Sequence, residues 1–160
     1  MLSLVTTDSI TLELNKFNRN EGCQMSFDEL TKEEGYHISF ESISEPRKDE
    51  VRLRIIVNQS KNPTDLLIYP HPDSKVTRLQ IDFKNYITYS VIYDDYTRWN
   101  NKEEFQGDSF VIYKRSNLLS SLPKDNSYFP NGTLVHYSLH CIEHIVNIIS
   151  VYEPMIIEID

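Results

Sequence analysis

The chain has 160 residues, a net charge of −8 and a hydrophobic fraction of 39%, the proportions of one domain that buries roughly two-thirds of its unfolded surface. Four glycines and seven prolines exclude collagen-like repeats and argue against disorder or long linkers, and no run approaches the roughly 20 apolar residues that cross a bilayer. The acidic balance, strongest at the two ends of the chain, disfavours nucleic acid and anionic membranes as partners and suits a basic protein, although it also serves solubility.

Met1 to Leu14 carries acids within its apolar run and lacks a basic leader, so no secretory signal is expected and the compartment reads as cytoplasmic. Ile10 to Leu14 alternates like a strand. In that compartment Cys23 and Cys141, which form no C-x-x-C pair, are expected to be reduced and buried. The glycosylation triplets at Asn58 and Asn131 are expected to be inert there. Ser26-Phe27-Asp28-Glu29 reads as a capping box opening a short helix that runs to about Glu34, with Gly35 as its stop.

From Tyr36 onward strand signals dominate. Tyr36 to Ile43 places Tyr36, Ile38 and Phe40 on one face. Val51 to Val57 alternates as cleanly, with Arg52 and Arg54 outward. Glu45 to Glu50 and Asn58 to Asp65 are polar loops, and Leu66 to Tyr69 reads as a short strand stopped by Pro70. Val76 to Tyr96 contains neither Gly nor Pro and predicts two strands meeting near Lys84-Asn85, with Tyr89 and Tyr93 in the core. Phe110 to Tyr113 is a further strand, Ser116 to Leu122 a turn or two of helix, and Met155 to Ile159 a last strand. The expected fold is mainly β (α+β): one domain over 1–160, an antiparallel sheet of sandwich- or barrel-like form, and one or two short helices.

His140-Cys141-Ile142-Glu143-His144 carries the most direct chemical suggestion. On a helix, His140 and His144 would share a zinc ion and Glu143 would serve as general base, as in H-x-x-E-H peptidases. On strands the same letters place the histidines about 13 Å apart. Periodicity over Leu134 to Ser150 accommodates both. Propensity favours strands, because Val, Ile, Tyr and His abound and strong helix formers are scarce, and Asn131-Gly132 is a hairpin signal. Catalytic zinc also needs a third protein ligand, and only sixteen residues follow His144. No catalytic residue, metal or cofactor is therefore assigned.

Between Tyr86 and Phe105, aromatic side chains alternate with carboxylates. Asp94, Asp95, Tyr96, Trp99, Glu103 and Glu104 are the candidate partner-binding residues, since Tyr and Trp dominate interface hot spots and acids beside them suit a basic surface.

The segments Phe110 to Leu119, His136 to Cys141, His144 to Ser150 and Glu153 to Ile156 resemble the C-terminal half of small bacterial immunity proteins, those encoded beside polymorphic or contact-dependent toxins. The resemblance covers roughly the last fifty residues and has no catalytic motif. It implies a stoichiometric protein that neutralises a toxin domain, often a basic nuclease, by covering it. The leading expectation is thus a non-enzymatic protein-binding protein. The alternatives are a small zinc hydrolase using His140, Glu143 and His144, or a structural or accessory domain.

Overall fold

A computed structural model describes residues 23–123 and 133–160. Among them the chain forms a short helix α1 (Phe27–Thr31) and nine strands: β1 (His37–Ser44), β2 (Leu53–Ser60), β3 (Thr77–Phe83), β4 (Thr88–Tyr93), β5 (Glu104–Gly107), β6 (Phe110–Arg115), β7 (Val135–His140), β8 (His144–Ser150) and β9 (Met155–Ile159). A second short helix, α2 (Asn117–Ser121), comes after β6. The strands make two antiparallel sheets, β1-β2-β3-β9 and β4-β8-β7-β6-β5. They share one core as a sandwich, and neither sheet closes into a barrel. The expected strand over Ile10–Leu14 and the Asn131-Gly132 turn lie outside the described residues.

Period-2 patterning accounts for the sheets. In β2, Leu53, Ile55 and Val57 are fully buried, and they pair with Phe83, Ile81 and Leu79 of β3, which are also fully buried. From the other sheet, Phe110, Tyr137, Leu139, Val146 and Ile148 turn toward them. Each such side chain stabilises the fold by about 1.5–3 kcal/mol. Phe27 of α1 joins the layers, edge-on to Phe110 at 5.4 Å and to Tyr137 at 4.9 Å. Tyr137 in turn reaches Phe83 of the opposite sheet at 5.6 Å.

Several expectations are corrected. The helix after Ser26 ends at Thr31, not near Glu34, and no capping box forms. Ser26 Oγ donates instead to Glu153 at 2.9 Å, tying the helix to the segment before β9. Leu66 to Tyr69 is not a strand, and among the described residues no strand pairs with its backbone. Asn62 accepts from the Thr64 N–H and starts a 3-10 turn at Pro63–Leu66, which leaves Leu67 to Tyr69 protruding. β3 and β4 are the two strands expected between Val76 and Tyr96, but they belong to different sheets, and the chain crosses between the layers at 84–87. Tyr89 packs on the core as expected, whereas Tyr93 is 45% exposed because β4 is an edge strand. Cys23 is exposed, while Cys141 is buried as expected. No described helix is long and apolar enough to cross a membrane.

Candidate binding surface

The H-x-x-E-H segment is a hairpin. His140 ends β7, Cys141 to Glu143 make the turn, and His144 begins β8, with the Cys141 N–H donating to the His144 carbonyl at 2.8 Å. The tip is clamped from two sides: the Ile142 N–H donates to the Ile38 carbonyl at 2.9 Å, and the Asp94 N–H to the Glu143 carbonyl at 2.8 Å. Tyr137 and Leu139 face the core, so alternation turns His140 to the outer face of the five-stranded sheet. By the same rule Val146 and Ile148 place His144 on the inner face. The ring contacts agree. His140 lies against Trp99 at 5.4 Å and Phe105 at 5.9 Å, and His144 against Phe40 of the other sheet at 5.7 Å and Tyr93 at 5.5 Å. Two histidines on opposite faces of a sheet share no metal, so the helical zinc site over His140, Glu143 and His144 has no geometric basis here.

Burial is the main influence on His140. It pushes the pKa down to about 4, against the opposing carboxylates of Asp108 and Asp94. Its Nε2 is buried without a hydrogen-bond partner among the described residues. Cys141, behind it in the core, has its thiol pushed up to about 12 by burial, which leaves it a packing group and not a nucleophile.

On the same outer face lies a polar network with little trace in the sequence pattern. His136 Nδ1 is 2.8 Å from Ser116 Oγ, and its Nε2 is 2.8 Å from Asn147 Oδ1, which also accepts from Ser138 Oγ at 3.1 Å. With Asn147 Oδ1 as acceptor, the proton sits on His136 Nε2 and Ser116 donates to Nδ1. Tyr113 stacks on the imidazole at 4.3 Å. Burial lowers the His136 pKa, with the Asn147 hydrogen bond opposing. The residue types suggest a hydrolytic triad, but Ser116 is almost wholly buried, and it caps α2 by accepting from the Leu119 N–H at 3.1 Å. The network therefore fastens α2 to the sheet. A register pairing Ser138 with Asn147 brings it together, and nothing short of that register would have revealed it.

The partner-binding candidates collect beside the hairpin tip. Asp94, Asp95 and Tyr96 form a 3-10 turn at the end of β4. Tyr96 is 77% exposed and Trp99 57%, the latter with one edge on His140. Glu104 faces Arg115 at 3.8 Å, a solvated pair worth little. Glu103 has a structural role, since it accepts from the Asn117 N–H at 2.9 Å and so helps start α2. Phe105, also exposed, extends the aromatic surface toward Tyr113 at 5.4 Å.

Beyond the tip the surface continues onto residues that sequence reasoning placed in a strand or left aside. Phe40, Ile142 and His144 line a concavity of about 650 Å³ with Leu67, Ile68 and Tyr69. Ile68 and Tyr69 are 86% and 93% exposed. A Leu-Ile-Tyr run before Pro70 was the available signal, since a strand of that length needs a partner to cover it. No protein-family model, curated protein or solved structure matches the chain.

Proposed function

We propose that the chain is a non-enzymatic protein-binding protein, and specifically a cytoplasmic immunity protein that neutralises a toxin domain by covering it. The observation that carries this reading is the exposure of Tyr93, Tyr96, Trp99 and Phe105 around the β7–β8 tip, with Asp94, Asp95 and Glu104 among them. Large exposed aromatics beside a sheet end supply binding energy, and the acids at the rim speed encounter with a basic partner. The Leu67 to Tyr69 loop adds apolar area to the same end of the sandwich.

Trp99 is the single tryptophan of the chain, so intrinsic tryptophan fluorescence reports on this surface alone. On titration with a toxin domain from an adjoining gene, which the immunity reading requires, the Trp99 emission should shift to shorter wavelength and saturate at one toxin per chain. Tyr96→Ala should weaken the complex at least tenfold, a loss of about 1.4 kcal/mol. A saturating complex in which the Trp99 emission does not move would place the binding face elsewhere. The absence of any complex would remove the immunity reading.

A further inference from the structure

Among the described residues four strands lie at sheet edges, and three of them are guarded. β1 is bulged between Phe40 and Ser42 and carries Glu41 in the bulge. β9 comes directly after Pro154, contains Glu158, and has its outer side taken by Met25, whose N–H donates to the Ile156 carbonyl at 3.0 Å. β5 has only four residues, is bulged at Glu104/Phe105 and ends at Gly107. Bulges, prolines, acids and shortness are the devices by which sheets avoid edge-to-edge pairing. β4 has none of them. Its sequence Thr-Tyr-Ser-Val-Ile-Tyr is uncharged, lacks Gly and Pro, and runs in unbroken register along β8 from Thr88 to Tyr93. Among the described residues no strand lies on its outer side.

The backbone at that edge is set for pairing. The Asp94 N–H bonds the Glu143 carbonyl in the register of β4 with β8. Alternation then turns the N–H and C=O groups of Thr88, Ser90 and Ile92 to β8, and those of Tyr89, Val91 and Tyr93 outward. The three outward residues read the same in either direction about Val91.

We propose that β4 is a self-docking edge, along which a second copy of this chain pairs antiparallel with the two-fold axis at Val91. Val91 would face Val91, and each Tyr89 would face the Tyr93 of the other copy. Each pair would exchange two backbone hydrogen bonds, joining two five-stranded sheets into one. The charge pattern suits a second copy in this direction. The stretch 85–93 is uncharged, and in this register Asp94 and Asp95 of one copy lie opposite Thr88 and Ile87 of the other, so no like charges meet along the ladder. In-register parallel pairing would set Asp94-Asp95 against the same acids of the other copy. Aromatic cross-strand pairs between Tyr89 and Tyr93 add to the ladder. The association goes beyond the toxin-binding reading and is read separately from it, because Val91 belongs to the edge alone and Trp99 to the toxin-binding surface alone, while Tyr93, Asp94 and Asp95 border both.

Sedimentation equilibrium and concentration-dependent amide exchange test the proposal together. The mass should rise from that of one 18.8 kDa chain toward twice that value as concentration increases from micromolar to millimolar. Over the same range the amides of Tyr89, Val91 and Tyr93 should slow at least tenfold, while those of Ser90 and Ile92 stay protected throughout. Val91→Lys, which sets two ammonium groups against each other at the axis on a residue already 37% exposed, should give a folded monomer by circular dichroism. Trp99→Ala should dimerise as the native chain does. A native chain that stays monomeric at millimolar concentration would overturn the proposal. So would a dimer in which the Tyr89, Val91 and Tyr93 amides remain unprotected, or a folded Val91→Lys that still dimerises. The amide readout on the native chain decides the matter should Val91→Lys not fold.

Discussion

Replacing His140 by Phe should raise stability and flatten its dependence on pH. In the native chain the imidazole is packed between Trp99 and Phe105, with Nε2 buried and unpaired among the described residues. Burial holds its pKa at about 4, below the ordinary 6.5, although Asp108 and Asp94 act to raise it. The unfolded chain therefore binds a proton at higher pH than the folded chain does. The stability lost through protonation is thus absent above about pH 6.5 and grows as pH falls toward 4. Its full size is at most about 3 kcal/mol, and its slope at most about 1.4 kcal/mol per pH unit. His136, lowered by burial in the same way, adds to the slope in the same direction. Glu41, which the Arg78 hydrogen bond holds below the ordinary carboxylate value of 4.5, contributes only at lower pH, so the interval from about pH 6.5 to 5 reads the histidines. Urea unfolding at half-unit steps across that interval should give a distinctly shallower fall for His140→Phe than for the native chain. At about pH 7.5, loss of the orphaned nitrogen should add about 1 kcal/mol. Equal slopes for the two proteins would be incompatible with a neutral, buried, unpaired imidazole at His140.

Two further outcomes bear on the fold. Exposed Cys23 should react with a thiol reagent at about pH 8, whereas Cys141, buried and with its thiol pushed up to about 12, should react only on unfolding. Mass spectrometry should then find one adduct on the native chain and two after denaturation, and two adducts under native conditions would contradict the core position of Cys141. Gly107 has φ +112°, and a Cβ there would collide with the Phe110 carbonyl oxygen. Gly107→Ala should therefore cost about 2 kcal/mol or more in denaturant unfolding, and an unchanged midpoint would mean that the β5–β6 turn yields to the added methyl.

Features that depend on local alternation were legible in the sequence. β2 could be read as a strand because β-branched residues and period-2 patterning agreed there, whereas over Leu134 to Ser150 the periodicity suited helix and strand alike and only the residue propensities favoured strands. Features that depend on which element lies beside which were not legible. Ser26 looked like a helix cap, but Glu153 stands close enough to take its hydroxyl. Tyr93 has the letters of a core residue and becomes exposed because β4 ends the sheet. Leu66 to Tyr69 has strand composition without a neighbour to pair with among the described residues. The His136 network joins positions 116, 136, 138 and 147, which only the β6-β7-β8 register assembles. For the candidate surface, the aromatic and acidic letters marked a segment whose Tyr96, Trp99 and Phe105 are exposed. They did not mark Glu103 as the group that starts α2, or Phe40, Ile142 and Leu67 to Tyr69 as its apolar continuation.

An immunity function exerted through the surface around Tyr96 and Trp99 requires a toxin domain from an adjoining gene, and it is best tested by growth of cells expressing such a domain. Co-expression of the native chain should restore growth, and a folded Tyr96→Ala/Trp99→Ala double variant should restore it poorly or not at all. Failure of the native chain to protect would contradict the immunity function, and full protection by the double variant would contradict the surface assigned to it.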